Sequence, residues 1–249
     1  MTTSPFQAEY MPLLTVLTKQ LKQGLAGTLH SIYLSGSVLR GEARMNDSNL
    51  NMTLLLHEPL SAQQIFVLRS IEKQALLFYP FVRGIELKLT TVSDVSRLDQ
   101  LFYWGFWFKH CCVCLSGKDI GDEFGEFEPT WEVAKAFNGD VGQVVTEYKH
   151  KITAVKKAES YLDLCQSLAK KLIYASFGLT VYRDNRWAYS LAQCIGPFLK
   201  RYPEKQIEME RLQLLARRVR VPKRAVLILL SQYGDWIANE YRYLERKFG

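Results

Sequence analysis

Two kinds of hydrophobic spacing divide this chain, and the change from one to the other limits what it can fold into. Up to about residue 115, short apolar runs alternate with helical spacing; beyond Trp131 only helical spacing is found. In SIYLSGS, Ile32 and Leu34 point one way and Tyr33 and Ser35 the other, which predicts a short strand running into a turn at Gly36. NMTLLLH, residues 51–57, predicts a second strand, and its unbroken apolar run requires burial on both faces. Residues 84–92 alternate, with Ile85, Leu87 and Leu89 on one face and Glu86 and Lys88 on the other. Residues 112–115 are a fourth candidate strand. Helical spacing covers 7–25 and 61–78, and Ser93-Asp94 is the expected cap of a helix running through Lys109.

The loop 117–130 is rich in glycine and acids and contains Pro129, so it is the expected boundary between domains 1–128 and 129–249. Beyond it the spacing predicts one or two helices over 141–182, then helices over 186–199, 204–219 and 222–244. The expected class is α+β: strands with flanking helices in the amino-terminal half, a helical bundle in the carboxy-terminal half.

Composition narrows the functional classes. With 48% hydrophobic and 23% charged residues the chain can bury a real core, which excludes a disordered or collagen-like polymer. No apolar run reaches the roughly 18 residues of a membrane span, and the start, MTTSPFQAEY, lacks the pattern of a secretory leader. The five cysteines are odd in number and three crowd together, which fits a reducing compartment better than a disulfide framework. The expectation is a cytoplasmic protein without a membrane partner. A net charge of +7 suits an anionic partner such as a nucleotide, RNA or an acidic protein without requiring one.

One segment carries a chemical signal: LSGSVLRGEARMNDSNLNMTLLL, from Leu34. It resembles the signature of the nucleotidyltransferase superfamily, the fold of DNA polymerase β and kanamycin nucleotidyltransferase. In that signature a strand ends in Gly-Ser, a glycine-rich turn follows, and an Asp-x-Asp opens the next strand. Gly36 and Ser37 match the Gly-Ser, and Arg40 to Arg44 match a common filling of the turn. Asn49 and Asn51 stand where the family has its two aspartates, and Glu86 is the candidate for the third carboxylate. The resemblance implies a mixed sheet with flanking helices, a nucleotide such as ATP, and Mg²⁺ held by the carboxylates. The stretch Leu172 to Tyr202 also resembles, more loosely, the helical domain of kanamycin-type enzymes, which implies a ligand bound between the two domains.

The residues themselves suit such roles. Glycine at 36 lets the backbone approach a phosphate; Ser37 and Arg40 can bind one. In a strand, Asn49 and Asn51 project to the same side, where Glu86 of a neighbouring strand can join them. The difficulty is charge. Mg²⁺ favours anionic oxygens in octahedral geometry, and an asparagine offers a single neutral carbonyl oxygen. Losing two carboxylates removes terms of a few kcal/mol each at an effective dielectric near 20, enough to slow transfer by roughly 10³-fold. The Mg²⁺ site is therefore expected to be weak or absent, with Glu86 and Asp47 as its only anionic candidates. In an alternative register, Asp47-x-Asn49 takes the place of Asp-x-Asp, since Asp47 has the same strand parity.

Other clusters have plainer readings. His110, Cys111, Cys112 and Cys114 lack the paired spacing of zinc ligands, and the cysteines read as buried, reduced thiols. ARRVRVPKR, residues 216–224, reads as a solvated helix end rather than an RNA grip. The aromatics between Phe102 and Phe108 read as core and domain-interface packing rather than base-stacking surface. No histidine lies in the late helices, which removes a helical-nuclease reading. Three functions stay open: a nucleotidyltransferase relative with impaired transfer that binds a nucleotide or other phosphate-bearing ligand, an active metal-dependent nucleotidyltransferase acting on a small molecule or protein, and an RNA or protein interaction module.

Overall fold

Four strands pair into one mixed sheet in the order β3-β2-β1-β4. The computed structural model describes residues 7–248; the reading of MTTSPF as no secretory leader lies outside the described residues. The chain divides into two units between Phe127 and Glu128.

In the first unit, α1 (Met11–Gly24) leads into β1 (Leu29–Ser35), and β1 ends in the single helical turn α2 (Gly36–Leu39). Then come β2 (Asn49–Leu56), α3 (Ala62–Phe78) and β3 (Gly84–Thr91). β1 is central and antiparallel to both β2 and β4, while β2 and β3 run parallel. The parallel pair follows from the long crossover through α3, because a tight hairpin can join only antiparallel strands. Helix α3 starts where it does because Ser61 accepts from the Gln64 amide while the Gln64 side chain accepts from the Ser61 amide.

One face of the sheet presents Ile32, Leu34, Leu50, Met52, Leu54 and Leu56 to Leu13, Leu17 and Leu21 of α1 and to Leu68 and Ile71 of α3. Each such side chain contributes about 1.5–3 kcal/mol by leaving water. Leu55 points to the opposite face, into a smaller cluster with Tyr33, Trp104, Phe108 and Cys112. The apolar run of β2 is thus buried on both sides. Strand β2 begins at Asn49, two residues earlier than its hydrophobicity indicates, because Asn49 and Leu50 pair with Gly84 and Ile85.

The segment after β3 departs from the expected single helix. Thr91, not Ser93 or Asp94, is the cap, accepting from the Asp94 amide at 3.1 Å. The turn it starts, α4 (Val92–Val95), stops at once because Arg97 is extended. A new helix, α5 (Leu101–Phe106), continues as a π-helical turn through Cys111, and β4 (Cys112–Gly117) follows.

The second unit is all helical: α6 (Trp131–Asn138), α7 (Val141–Ala154), α8 (Ala158–Asp184), α9 (Leu191–Arg201), α10 (Gln206–Ala216), α11 (Lys223–Leu229) and α12 (Asp235–Phe248). The region 141–182 is two helices, broken where Lys157 is extended. The helix expected from Arg186 starts only at Leu191, because Asn185 closes α8 in the left-handed conformation and Ser190 caps α9 through the Gln193 amide. The last expected helix is interrupted by a π-helical turn, Leu230–Gly234. Helix α8 is the axis of this core, with Leu168, Leu172, Ile173 and Phe177 buried among Cys194, Phe198, Leu212, Tyr233 and Ile237. Within the basic stretch 216–224, Arg218 pairs with Glu159 and Asp163, and Lys223 donates to the Val155 carbonyl. Those two cations serve the fold of this unit. No helix among the described residues is long and apolar enough to cross a membrane.

Candidate functional site

The sheet face opposite α1 and α3 carries two cross-strand rows of side chains. The first row runs Cys112, Ser35, Asn51, Glu86; the second runs Cys114, Tyr33, Thr53, Lys88. Asn49 precedes the first row by two residues on β2. Its Nδ2 donates to Glu86 Oε1 at 2.5 Å. That assignment of the amide is the favourable one, since the reverse would set two oxygens against each other.

The turn after β1 closes on the same place. Gly36 has φ +79°, and a Cβ there would stand 2.5 Å from Asn51 Nδ2. Glycine at 36 thus meets a backbone need and a packing need together. Asn51 Oδ1 is buried and accepts no hydrogen bond among the described residues, an arrangement that costs about 1–3 kcal/mol. The Ser37 hydroxyl donates to nothing among the described residues, and Arg40 pairs with Glu42 at 2.9 Å. The structure therefore brings Gly36, Asn49, Asn51 and Glu86 into contact, with Ser37 and Arg40 on the adjoining turn. Asp47 shares none of these contacts among the described residues: it is exposed, in the turn before β2, with its amide bonded to the Arg44 carbonyl.

No family model matches the sequence, and no curated protein is significantly similar to it. Among solved structures, spectinomycin adenyltransferase AAD(9) from Enterococcus faecialis, determined with ATP and spectinomycin, superposes with a TM-score of 0.63 at 12% identity. The match covers 93% of this chain and 98% of that one. The chain has the nucleotidyltransferase fold.

Within that fold, the residues at the three strand positions do not suit a magnesium ion. They offer one carboxylate and two neutral amides, and an amide N–H already occupies one oxygen of that carboxylate. No group of three or more His, Cys, Asp or Glu side chains among the described residues is placed to hold a metal ion.

Sequence reasoning missed the second row. Lys88 was legible as a polar strand residue, but its surroundings were not. Its ammonium donates to the Tyr103 hydroxyl and lies 3.7 Å from the Trp107 ring centroid, 4.9 Å from that of Tyr103 and 5.6 Å from that of Trp104. Trp107 Nε1 donates to Thr53 Oγ1 at 3.2 Å, fixing the indole over the sheet. Burial pulls the Lys88 pKa down to about 8, opposed by the neighbouring Cys111 and Cys112. The aromatic segment is thus partly core, as expected for Trp104 and Phe108, and partly the wall of this site.

Burial also pushes the thiols of Cys111 and Cys194 up to about 12, and raises that of Cys112. All five cysteines are free, and Cys112, Cys165 and Cys194 are buried. Because the thiolate is the nucleophile, a three-unit rise lowers its population about 10³-fold. Near neutral pH, Ellman's reagent is expected to modify Cys111, Cys112 and Cys194 at least that much more slowly in the folded protein than in guanidinium. Modification of all five at the unfolded rate would contradict this environment.

Proposed function

We propose that this nucleotidyltransferase-fold protein binds a nucleotide or another phosphate-bearing ligand at the Gly36 end of the sheet, and that its capacity to transfer NMP is impaired or lost. What carries the reading is the closure of three positions on one another beneath a left-handed glycine turn: Asn49 on Glu86, and Asn51 against Gly36. That is a phosphate-binding layout stripped of two anionic metal ligands. The likeness to a structure determined with ATP supports a nucleotide as the ligand. The Ser37 hydroxyl and the Gly36 turn would bind phosphate oxygens, Arg40 would add charge, and the buried Asn51 Oδ1 would accept from a ligand hydroxyl or amine.

Isothermal titration with ATP and GTP, in EDTA and in Mg²⁺, tests this. The expected result is binding that does not need Mg²⁺ and no release of pyrophosphate from labelled NTP. Mg²⁺-dependent binding with turnover would show a working transferase instead. Salt-sensitive RNA binding without nucleotide affinity would assign the net positive charge to a nucleic-acid partner.

A further inference from the structure

Removing two carboxylates from a magnesium site changes what the remaining charges can do. On the first row only Glu86 is anionic. On the second row, one strand position away on the same face, stands Lys88. Its side chain is largely withdrawn from water, yet among the described residues no carboxylate lies within ion-pair distance of it. One tyrosine hydroxyl and three aromatic rings are its partners. The rings favour a cation and disfavour a neutral amine or an anionic adduct at that nitrogen. A charge kept from water without a counterion is costly unless something arrives to pair with it, and a methionine or leucine would fill the same cage more favourably. The wall is also built for the purpose: Trp107 starts a π-helical turn, a widening of the helix that recurs at functional sites, and Thr53 pins its indole. Cys111, at the end of that turn, lies within electrostatic range of both Lys88 and Arg40.

We propose that the ammonium of Lys88 stands in for the divalent cation at this site and pairs directly with a phosphate chain, so that the protein holds a polyphosphate without metal. This rests on the reading of the Gly36 end of the sheet as a phosphate site. Glu86, held by the Asn49 amide, is then kept from competing for the lysine, and the two asparagines avoid repelling the incoming phosphates.

The test uses inorganic tripolyphosphate and ATP as probes, titrated calorimetrically into the full chain in EDTA. The unmodified protein is expected to bind both, K88M to bind each at least about tenfold more weakly, and K88R to recover part of the loss. K88M is expected to melt no lower than the unmodified protein, because methionine fills the cage without a charge to desolvate. If K88M fails to fold, the unmodified chain still answers: tripolyphosphate in EDTA should change tryptophan emission by drawing the ammonium from Trp107. Undiminished affinity in K88M overturns the role of Lys88 while leaving the phosphate site standing if ATP still binds. Binding of tripolyphosphate only when Mg²⁺ is added also overturns it. Failure of both probes with and without Mg²⁺ removes the phosphate site as well.

Discussion

Asn49→Asp combined with Asn51→Asp is expected to destabilise the free protein in EDTA and to make its stability and its nucleotide affinity depend on Mg²⁺. In the native sheet Asn49 donates to Glu86, and Asn51 is the direct cross-strand partner of Glu86. The first substitution exchanges a hydrogen bond for repulsion between oxygens, and the second sets another anion on the same row. Two unit charges about 5 Å apart at an effective dielectric of 20 repel by about 3 kcal/mol. Glu86 is exposed, so water screens much of this, and a net loss of about 1–3 kcal/mol is expected. Melting should fall by several degrees in EDTA. Mg²⁺ at 100 times its dissociation constant would return about 2.7 kcal/mol, so the melting temperature should climb with metal concentration. The new anions would also supply Lys88 with a counterion, and tripolyphosphate binding in EDTA should weaken. Asp47→Asn is the control: Asp47 is exposed in the turn outside β2, and its loss should leave ligand binding unchanged. If Asp47→Asn abolishes nucleotide binding while the double variant behaves like the unmodified protein, the alternative register governs the site.

Why some of this was readable from sequence and some was not comes down to the range of the forces involved. The run LLL in β2, the alternation of Ile85, Leu87 and Leu89, and the helical spacing over 61–78 are local, and each pointed to its element and to most of its environment. Asn49, Asn51 and Glu86 were singled out by the family resemblance, and that they share one face was legible because period two fixes it; the glycine at 36 marked where a backbone needs positive φ. The start of β2 was not, because Asn49 is strand only by virtue of its pairing with Gly84. The break after Val95, the late start of α9 and the two π-helical turns depend on tertiary partners that no single-residue propensity records. Lys88 is the sharpest case. Its polar-face position was evident, but a cage assembled from residues 15 to 19 positions further along the chain was not.

Gly178→Ala should be among the most destabilising single changes in the helical unit, against the sign that helix propensity gives. Alanine in a helix interior is favoured over glycine by about 1 kcal/mol, and Gly178 lies inside α8. A Cβ there, however, would stand 2.2 Å from the Tyr241 hydroxyl oxygen and 2.8 Å from Asn138 Nδ2. Tyr241 is buried, and its hydroxyl donates to the Ala175 carbonyl at 2.9 Å. Its oxygen therefore has no solvent side toward which to move. Overpacking of this kind costs about 1–3 kcal/mol, and displacing the hydroxyl from its acceptor adds about 1–3 kcal/mol for the groups left unpaired. After the propensity gain, a net loss of about 1–5 kcal/mol is expected in chemical denaturation of the helical unit. Tyr241→Phe alone should cost about 1 kcal/mol, through the lost hydrogen bond. In the double variant the added methyl meets the gap left by the oxygen, so the two losses should fall short of their sum by about 1–2 kcal/mol. A stabilising Gly178→Ala, or strict additivity with Tyr241→Phe, would mean that the hydroxyl is not seated over Gly178 and that α8 and α12 pack in another way.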